Sequence, residues 1–283
     1  MTKLVALVTG ASQGIGEATA RLFAQNGWTV YAAARSSQDL ERLAANVPAI
    51  VPLPMDVSKE KETAQGVSDV LRKEGRIDLL VNNAGYGLIG ALSDLTMEEI
   101  RQQFETNLFG ALGLAKAVLP GMMAQRNGAI VNVSSVAGRI SVPLMGAYCS
   151  SKFALEAWSD ALRGEVRPYG IRVIVIEPGP VRTRFGAAAV HRSQRVLELA
   201  DSPFRTIYQD VQRRYAKGWA GAATSEQVAR VIWKAVRSRN PRPRYLIRFR
   251  ERAVLVAASL VGRRTIDEVG LRRWGGKGKI LTE

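Results

Sequence analysis

The chain has 283 residues with 40 Lys and Arg, 25 Asp and Glu, one His and one Cys, so its formal net charge is +15. A hydrophobic content of 47% with 23% charged residues is typical of a soluble globular protein and excludes a disordered chain. A lone cysteine cannot form an internal disulfide, and one Cys with one His argue against a structural zinc site, so no metal is expected.

The charge is unevenly distributed along the chain. Residues 1–180 contain 17 basic and 17 acidic residues, whereas residues 181–283 contain 23 basic and 8 acidic ones. The apolar runs 4–8 and 253–261 are far shorter than the roughly 20 residues needed to cross a bilayer. We therefore expect a cytoplasmic protein whose excess positive charge is confined to its C-terminal third.

Seven short apolar runs, bounded by Gly, Pro, Asn or Asp, predict buried β-strands. They are Leu4–Val8, Thr29–Ala33, Ile50–Leu53, Leu79–Val81, Ile130–Val133, Val173–Ile176 and Tyr245–Ile247. Predicted helices lie between them at Ile15–Gln25, Met97–Leu119 and Ala154–Val166, with a fourth that runs to Arg237 from the capping-box pattern Thr224–Gln227. This alternation predicts an α/β fold, a doubly wound parallel Rossmann sheet of about seven strands.

The first predicted strand leads directly into a glycine-rich loop, Thr9–Gly16, and a helix follows. Glycines permit a tight turn and close backbone approach, and a helix N-terminus contributes free N–H groups and the positive end of its dipole. This placement predicts a loop that binds the pyrophosphate of a dinucleotide, although a glycine-rich turn without a ligand is the alternative.

The loop has the spacing TGxxxGxG, and further motifs follow it in a definite order. They are Asn82-Asn83-Ala84-Gly85 after the fourth strand, Ser135 thirteen residues before Tyr148, Tyr148 and Lys152 as YxxxK, and Pro178-Gly179 after the sixth strand with Thr183 beyond. Over roughly residues 3–248 the chain resembles the short-chain dehydrogenase/reductase family. Its long C-terminus resembles the hydroxysteroid and retinol dehydrogenase-like members.

The end of the second strand predicts which dinucleotide is bound. An acidic residue there binds the ribose hydroxyls of NAD, whereas an Arg accommodates the 2′-phosphate of NADP. The chain has Arg35 and no acid at this point, so we expect NADP(H) to be preferred over NAD(H), the alternative being a solvated surface Arg. The resemblance implies a cofactor-binding set of Gly10, Ser12, Gln13, Gly14, Ile15, Gly16, Arg35, Asp56, Val57, Asn83, Ala84, Gly85, Tyr148, Lys152, Pro178, Gly179, Val181 and Thr183.

The resemblance also implies four catalytic residues, Asn107, Ser135, Tyr148 and Lys152. A free tyrosine has a pKa of about 10, and a nearby ammonium and an oxidised nicotinamide are both expected to lower that pKa. Tyr148 then exchanges a proton with the substrate while hydride moves. Ser135, or its neighbour Ser134, would hold the substrate oxygen, and Asn107 would hold a water that links Lys152 to solvent. Cys149 is expected to be a packing residue.

The rest of the chain indicates how the protein binds its substrate and its partners. Residues 182–223 are read as a helical substrate cap, without strands, inside one domain 1–248, and residues 249–283 as a basic extension with a poorly ordered tail. The apolar and cationic cap predicts a lipophilic alcohol or carbonyl as the small-molecule substrate. His191, in the cap, is expected at the surface.

The predicted function is an NADP-dependent oxidoreductase that interconverts a secondary or lipophilic alcohol and its carbonyl. A catalytically idle NADP-sensing protein on the same fold and a 3-oxoacyl reductase-type enzyme are the alternatives. The resemblance implies a homodimer or homotetramer formed through the two long helices. The seven Arg among residues 237–252 form either a solvated face or a peripheral contact with an anionic membrane, and a nucleic-acid partner is disfavoured.

Overall fold

The computed structural model describes residues 3–217 and 221–261. A seven-stranded sheet is formed by β1 (Val5–Thr9), β2 (Thr29–Ala34), β3 (Ile50–Pro54), β4 (Leu79–Asn82), β5 (Gly128–Val133), β6 (Ile171–Glu177) and β9 (Arg244–Leu246). The strand order is β3-β2-β1-β4-β5-β6-β9, and every neighbouring pair is parallel. All seven predicted strands and the doubly wound α/β sheet are therefore confirmed.

Both faces of the sheet are buried, which explains why its strands are apolar without alternation. Along β1, Ala6 and Val8 belong to the core on one face, and Val5 and Leu7 belong to the core on the other. Because successive side chains of a strand point to opposite faces, each face needs its own layer of helices.

Helices α1 (Gly14–Gln25), α2 (Ser37–Ala45) and α10 (Ser225–Arg237) cover the first face. Helices α3 (Glu60–Glu74), α5 (Gly110–Gln125) and α6 (Gly146–Val166) cover the second. The predicted capping box of α10 is present, with Thr224 and Gln227 bonded reciprocally. The long helix α6 begins eight residues before its predicted start and so includes the YxxxK motif.

The other long helix is continuous from Met97 to Gln125, in three parts. Helix α4 (Met97–Phe104) passes through a π-helical turn, Glu105–Phe109, into α5. The whole helix is long and apolar enough to cross a bilayer, but half of its most apolar stretch is buried inside the protein. Leu114, Val118 and Met122 pack in the core beneath the sheet, as in the core helix of a globular domain.

The cap contains α7 (Phe185–Arg192), α8 (Gln194–Leu197) and α9 (Arg205–Lys217) between two short strands. The expectation that this region lacks strands is wrong, because β7 (Val181–Arg182) pairs in parallel with β8 (Ala223–Thr224). These strands have two residues each and are stabilised by pairing across the cap, so no local apolar run signals them. The cap residues 218–220 lie outside the described residues.

The basic extension is helical at its start. Helix α11 (Phe249–Leu260) occupies residues that were expected to belong to a poorly ordered tail, so that expectation is wrong for this segment. At its start the Arg248 N–H donates to Glu251 Oε2 at 3.0 Å, a cap that the Arg-rich composition conceals. Residues 262–283, including the predicted tail around Trp274, lie outside the described residues.

Candidate active site

The glycine loop lies at the point where the sheet order reverses, between β1 and β4. Gly10 and Gly14 have φ of +62° and +60°, a conformation that favours glycine. A Cβ on Gly16 would lie 2.3 Å from the Gly10 carbonyl oxygen, so this position also requires a hydrogen side chain. Gln13, the N-cap of α1, makes no side-chain hydrogen bond to the helix, which leaves its first N–H groups available. The cradle therefore fits a dinucleotide pyrophosphate.

The loop after β4 braces the glycine loop from the side. The Asn83 side chain donates to the carbonyl oxygens of Thr9 (2.9 Å) and Gly10 (3.3 Å). The backbone N–H groups of Asn83 and Ala84 both donate to Thr9 Oγ1 at 3.0 Å. Asn83 therefore also holds the glycine loop in position, in addition to its predicted place on the cofactor's flank.

Arg35 lies directly after β2 and is exposed, as the predicted contact to a phosphate requires. Burial would raise the pKa of Asp56, but hydrogen bonds with Ser58 and the charges of Arg35 and Lys59 hold that pKa below its usual value. Arg35 therefore lies near Asp56, which follows β3. Gly110 lets the long helix pass close to Val57, since a Cβ there would meet the Val57 carbonyl oxygen at 2.5 Å. The neighbouring Ser36 is the N-cap of α2 and accepts from the Asp39 N–H.

The four predicted catalytic residues converge at the carboxyl end of the sheet. The Lys152 Nζ donates to the Val133 carbonyl oxygen at 2.9 Å and lies 6.0 Å from the centre of the Tyr148 ring. Asn107 lies in the π-helical turn, a feature that often marks functional sites. A Cβ at Gly85 would be 3.0 Å from Asn107 Oδ1 and 3.7 Å from Lys152 Nζ, so these two side chains face the same backbone.

Asn107 is held in place by three hydrogen bonds. Its Oδ1 accepts from the Tyr86 N–H at 3.0 Å, and its Nδ2 donates to the Tyr86 carbonyl oxygen (3.0 Å) and to Ser151 Oγ (3.2 Å). The side chain is 1% exposed. Its amide is thus used to fix the loop after β4, which positions Gly85 beside Lys152.

The two candidate serines have different partners. Ser135 lies close enough to Tyr148 to influence the pKa of its phenol, and its hydroxyl accepts from the Ala137 N–H at 3.1 Å and donates to the Pro178 carbonyl oxygen at 3.4 Å. Ser134 is buried, and its hydroxyl lies beside Glu156. The structure therefore brings Ser135, rather than Ser134, to the tyrosine.

The expected lowering of the Tyr148 pKa is wrong for the protein by itself. Burial raises the pKa of Tyr148 above its usual value, and the nearby Ser135 hydroxyl only partly offsets this effect. Burial also lowers the pKa of Lys152 to about 8, against the raising effect of the Glu156 carboxylate. Both shifts come from desolvation, which disfavours each charged form. Tyr148 is consequently held in its protonated form at neutral pH.

Glu156 is a site residue that the motifs did not reveal. It is 4% exposed and lies one helical turn after Lys152 on α6, and its Oε2 accepts from the Arg244 Nε at 3.0 Å. Arg244 also lies 3.2 Å from Glu177 Oε1, and Arg139 donates to the same Glu177 oxygen at 3.0 Å. The run YxxxKxxxE was the available signal, but the partner on β9 is distant in sequence.

The loop after β6 brings the cap against the glycine loop. A Cβ at Gly14 would be 3.1 Å from Thr183 Cγ2, so Thr183 covers the start of α1. The Pro178 carbonyl oxygen accepts from the Val136 N–H, and Gly179 packs against Glu251 of α11. Val181 begins β7 and is half-buried. The predicted cofactor residues after β6 therefore face those after β1.

The cap packs apolar side chains over Tyr148. The Phe185 ring lies 5.8 Å from the Tyr148 ring at an angle of 61°. The surrounding core joins the body to the cap and includes Leu88, Ile89, Leu144, Ala189, Val196 and Tyr208. At its edge the Arg192 guanidinium lies 4.6 Å from the centre of the Tyr86 ring. Cys149 is buried and His191 is exposed, in agreement with their predicted packing and surface positions.

Known proteins are similar to this chain. The family model described as short chain dehydrogenase matches residues 4–194. A 3-ketodihydrosphingosine reductase of Bacteroides thetaiotaomicron is 40% identical over 185 residues, covering 65% of this chain and 66% of that protein. An NADPH-dependent 3-dehydrocapnine reductase of Ornithobacterium rhinotracheale is 30% identical over 93% of this chain and 95% of that protein.

Solved structures with the same fold hold either dinucleotide. A short chain dehydrogenase/reductase from Burkholderia phymatum in complex with NAD has a TM-score of 0.78 and 26% identity, covering 90% of this chain and 92% of that one. A metagenomic short-chain oxidoreductase in complex with NADP has a TM-score of 0.68 and 27% identity, covering 86% and 96%. The fold is therefore compatible with both dinucleotides, and the dinucleotide preference depends on local residues.

Proposed function

The chain belongs to the short-chain dehydrogenase/reductase family and is an NAD(P)-dependent oxidoreductase of CH–OH and carbonyl groups. Within this activity we propose that it reduces a ketone on a lipophilic substrate with NADPH. The observation that carries the proposal is the Ser135 hydroxyl beside Tyr148, beneath the apolar cap and near Lys152. The alternative of an idle cofactor-binding protein would not require a buried acid and base at this edge.

The side chains have distinct tasks in this proposal. Ser135 donates a hydrogen bond to the substrate oxygen, and Tyr148 gives that oxygen its phenolic proton. The high pKa that burial gives Tyr148 keeps this proton in place before the reaction, as a proton donor requires. Lys152, with a pKa of about 8, is largely protonated at neutral pH and returns a proton to Tyr148. When bound, the reduced nicotinamide supplies the hydride that adds to the carbonyl carbon.

The chain's own residues would hold the dinucleotide in four places. The N–H groups at the start of α1 face the pyrophosphate, and Arg35 faces the 2′-phosphate. Asp56 and Val57 would flank the adenine, and the loop after β6, with Val181 and Thr183, would hold the carboxamide. The NADPH named for the dehydrocapnine reductase supports the same preference.

The substrate we propose carries its ketone near one end of a long apolar chain. The two named reductases act on 3-keto and 3-dehydro compounds, so the ketone lies at the third carbon in each. The apolar lining from Leu144, Phe185 and Ile207 would bind the chain, and Arg192 at the edge would meet a polar or anionic end. A 3-oxoacyl thioester remains the second candidate because it carries its ketone at the same position.

We also propose that the protein forms a homo-oligomer through its two long helices. Phe109 on the first helix is 51% exposed and Phe153 on α6 is 39% exposed. The same two helices contribute Leu108 and Leu155 to one small apolar cluster. Large apolar side chains exposed together mark a surface that is covered by another chain.

The test is an NADPH oxidation assay with methyl ketones of rising chain length, 3-keto amphiphiles and 3-oxoacyl thioesters, run on the wild type, Tyr148→Phe and Tyr169→Phe. We expect kcat/KM to rise with chain length and to fall by about 10²- to 10⁴-fold in Tyr148→Phe, with the Kd for NADPH unchanged. Tyr169 is 40% exposed and serves as the control. NADPH binding without turnover of any ketone favours the idle binding protein, and full activity in Tyr148→Phe refutes the mechanism.

A further inference from the structure

The start of helix α11 is fixed to the body of the protein. The Glu251 side chain is 5% exposed, and its Oε2 accepts from the N–H groups of Ile247 and Arg248 at 3.0 Å each. Its Oε1 lies against Gly179, since a Cβ there would be 2.5 Å away. These contacts set the rotation of the helix about its own axis.

Beyond this anchor the helix carries an apolar stripe on its outer face. At about 100° per residue, Phe249, Ala253, Val256 and Leu260 share the side opposite Glu251. Phe249 is 82% exposed, Val256 51% and Leu260 81%, and Glu251 is the one buried residue of the helix. Exposure of this extent over successive turns marks an interaction surface rather than a scatter of single apolar residues.

Cations lie beside this stripe and near the start of the helix. On the helix itself, Arg250 and Arg252 flank the stripe on its two sides and are exposed. Arg248 shares a shallow surface cavity with Arg230 and Lys234 of α10, and the cavity's other lining residues are Gln227, Val231 and Ile247, none of which is acidic. We call the stripe and these five cations the α11 patch. It resembles an interfacial helix, whose apolar face enters the acyl boundary while long basic side chains reach the headgroups.

The chemistry of the patch selects among three kinds of partner. A second copy of the chain would bring the same cations face to face in a symmetric contact, which is repulsive. A nucleic acid would pair with the cations but would leave Phe249 and Leu260 largely without an apolar partner. An anionic bilayer offers both the negative surface and the apolar interior.

We propose that the α11 patch docks the protein peripherally on anionic phospholipid bilayers. Phe249, Val256 and Leu260 enter the acyl boundary, and the flanking cations contact the headgroups. At about 18 Å the helix is too short to span a bilayer, so it lies in the interface. A Cβ at Gly221 would lie 3.1 Å from the Arg250 guanidinium, so docking brings the end of the cap to the membrane. This inference does not depend on the ketone substrate proposed above.

The test is co-sedimentation of the full chain with vesicles of phosphatidylcholine alone or mixed with phosphatidylserine, at low and high salt. We expect binding to the mixed vesicles only, weakened by salt. Phe249→Ser/Leu260→Ser should reduce the affinity by about tenfold or more, and Arg250→Gln/Arg252→Gln by about fivefold for each arginine. The controls Tyr169→Ser and Arg42→Gln, at exposed positions elsewhere, should bind as the wild type does.

Unchanged NADPH binding and circular dichroism will establish that each variant is folded. Equal binding to both kinds of vesicle, or binding unaffected by both double variants, would overturn the proposal. So would an absence of vesicle binding, whether the protein then forms a dimer that Phe249→Ser/Leu260→Ser dissociates in sedimentation equilibrium or binds a DNA duplex through the same arginines.

Discussion

Residues 1–180 and residues 181–283 use their charged side chains in different ways. In the first region the numbers of basic and acidic residues are equal, and several polar groups, such as Lys152 and Glu156, are buried at the end of the sheet. In the second region basic residues outnumber acidic ones by 23 to 8, and most described arginines of the cap and of α11 are exposed. Desolvation changes the pKa values of the buried groups, whereas exposed charges remain available for partners.

Buried and exposed charges contribute differently to the free energy of unfolding. The buried Lys152 destabilises the folded protein, because its ammonium has left water. This destabilising residue lies in the candidate active site, where the proposed function requires it. An exposed ion pair such as Arg195–Glu99 contributes little, because solvent screens it. Replacing charges in the two regions should therefore change different measured quantities by different amounts.

The largest effect is expected from Lys152→Met. The folded pKa of about 8 lies below the unfolded value of 10.5, so the unfolded state binds more protons between these two pH values. The cost of burying the ammonium is fully present below pH 8 and disappears as the pH rises to 10.5. The difference between the folded and unfolded pKa values of Lys152 corresponds to about 3 kcal/mol of unfolding free energy. At neutral pH the variant, although inactive, should be more stable than the wild type. The gain in unfolding free energy should be about 1 kcal/mol smaller than this value, because the hydrogen bond to Val133 is lost.

Urea unfolding of the wild type and Lys152→Met across this pH range measures the effect. Lys61→Met, at an exposed position on α3, is the control and should show no such pH dependence. A stability difference that stays constant with pH would show that Lys152 does not carry the buried charge.

Arg35→Asp is expected to have an intermediate effect, on selectivity rather than stability. A charge-assisted hydrogen bond to the 2′-phosphate contributes about 1.5–3 kcal/mol, so the ratio of kcat/KM for NADPH over NADH should fall by about 10- to 100-fold. Arg42→Asp, on the neighbouring helix, controls for the change in overall charge. The assignment of Arg35 to the 2′-phosphate fails if the two variants give the same ratio.

The smallest effect is expected from Arg195→Ala in the cap. Arg195 donates to both carboxylate oxygens of Glu99, at 2.8 and 2.6 Å, and to the Asp94 carbonyl oxygen at 2.8 Å. Because the Arg195 side chain is 46% exposed, the loss should be about 0.2–1 kcal/mol and should shrink at high salt. A salt-independent loss of more than about 2 kcal/mol in urea unfolding would show that the two regions are not distinguished by exposure.

The fold was largely predictable because each strand of the sheet is a local signal. Runs such as Val173–Ile176 are apolar, short and bounded by turn residues, and all of them lie in the sheet. The glycine loop was also predictable, because its function depends on backbone conformation that glycine alone tolerates. The two strands β7 and β8 escaped prediction, since two-residue strands exist only through their mutual pairing.

The site was predictable in its positions and less so in its electrostatics. The motifs identified Tyr148 and Lys152, but the pKa of the tyrosine depends on how completely the cap buries it. Glu156 and its partner Arg244 are 88 residues apart in the chain, so their contact becomes visible only when β9 joins the sheet. The roles of these residues in catalysis stay predictions until they are measured.

The most direct test of the account is the fate of a deuterium label. NADPH deuterated at both C4 positions is incubated with the wild type and the ketone from the panel that is reduced fastest, and the alcohol is analysed by mass spectrometry and NMR. We predict one deuterium on the carbinol carbon with the wild type and formation of labelled alcohol that is at least about 10²-fold slower with Tyr148→Phe. Oxidation of NADPH without deuterium at that carbon would contradict hydride transfer to a carbonyl and, with it, the proposed function.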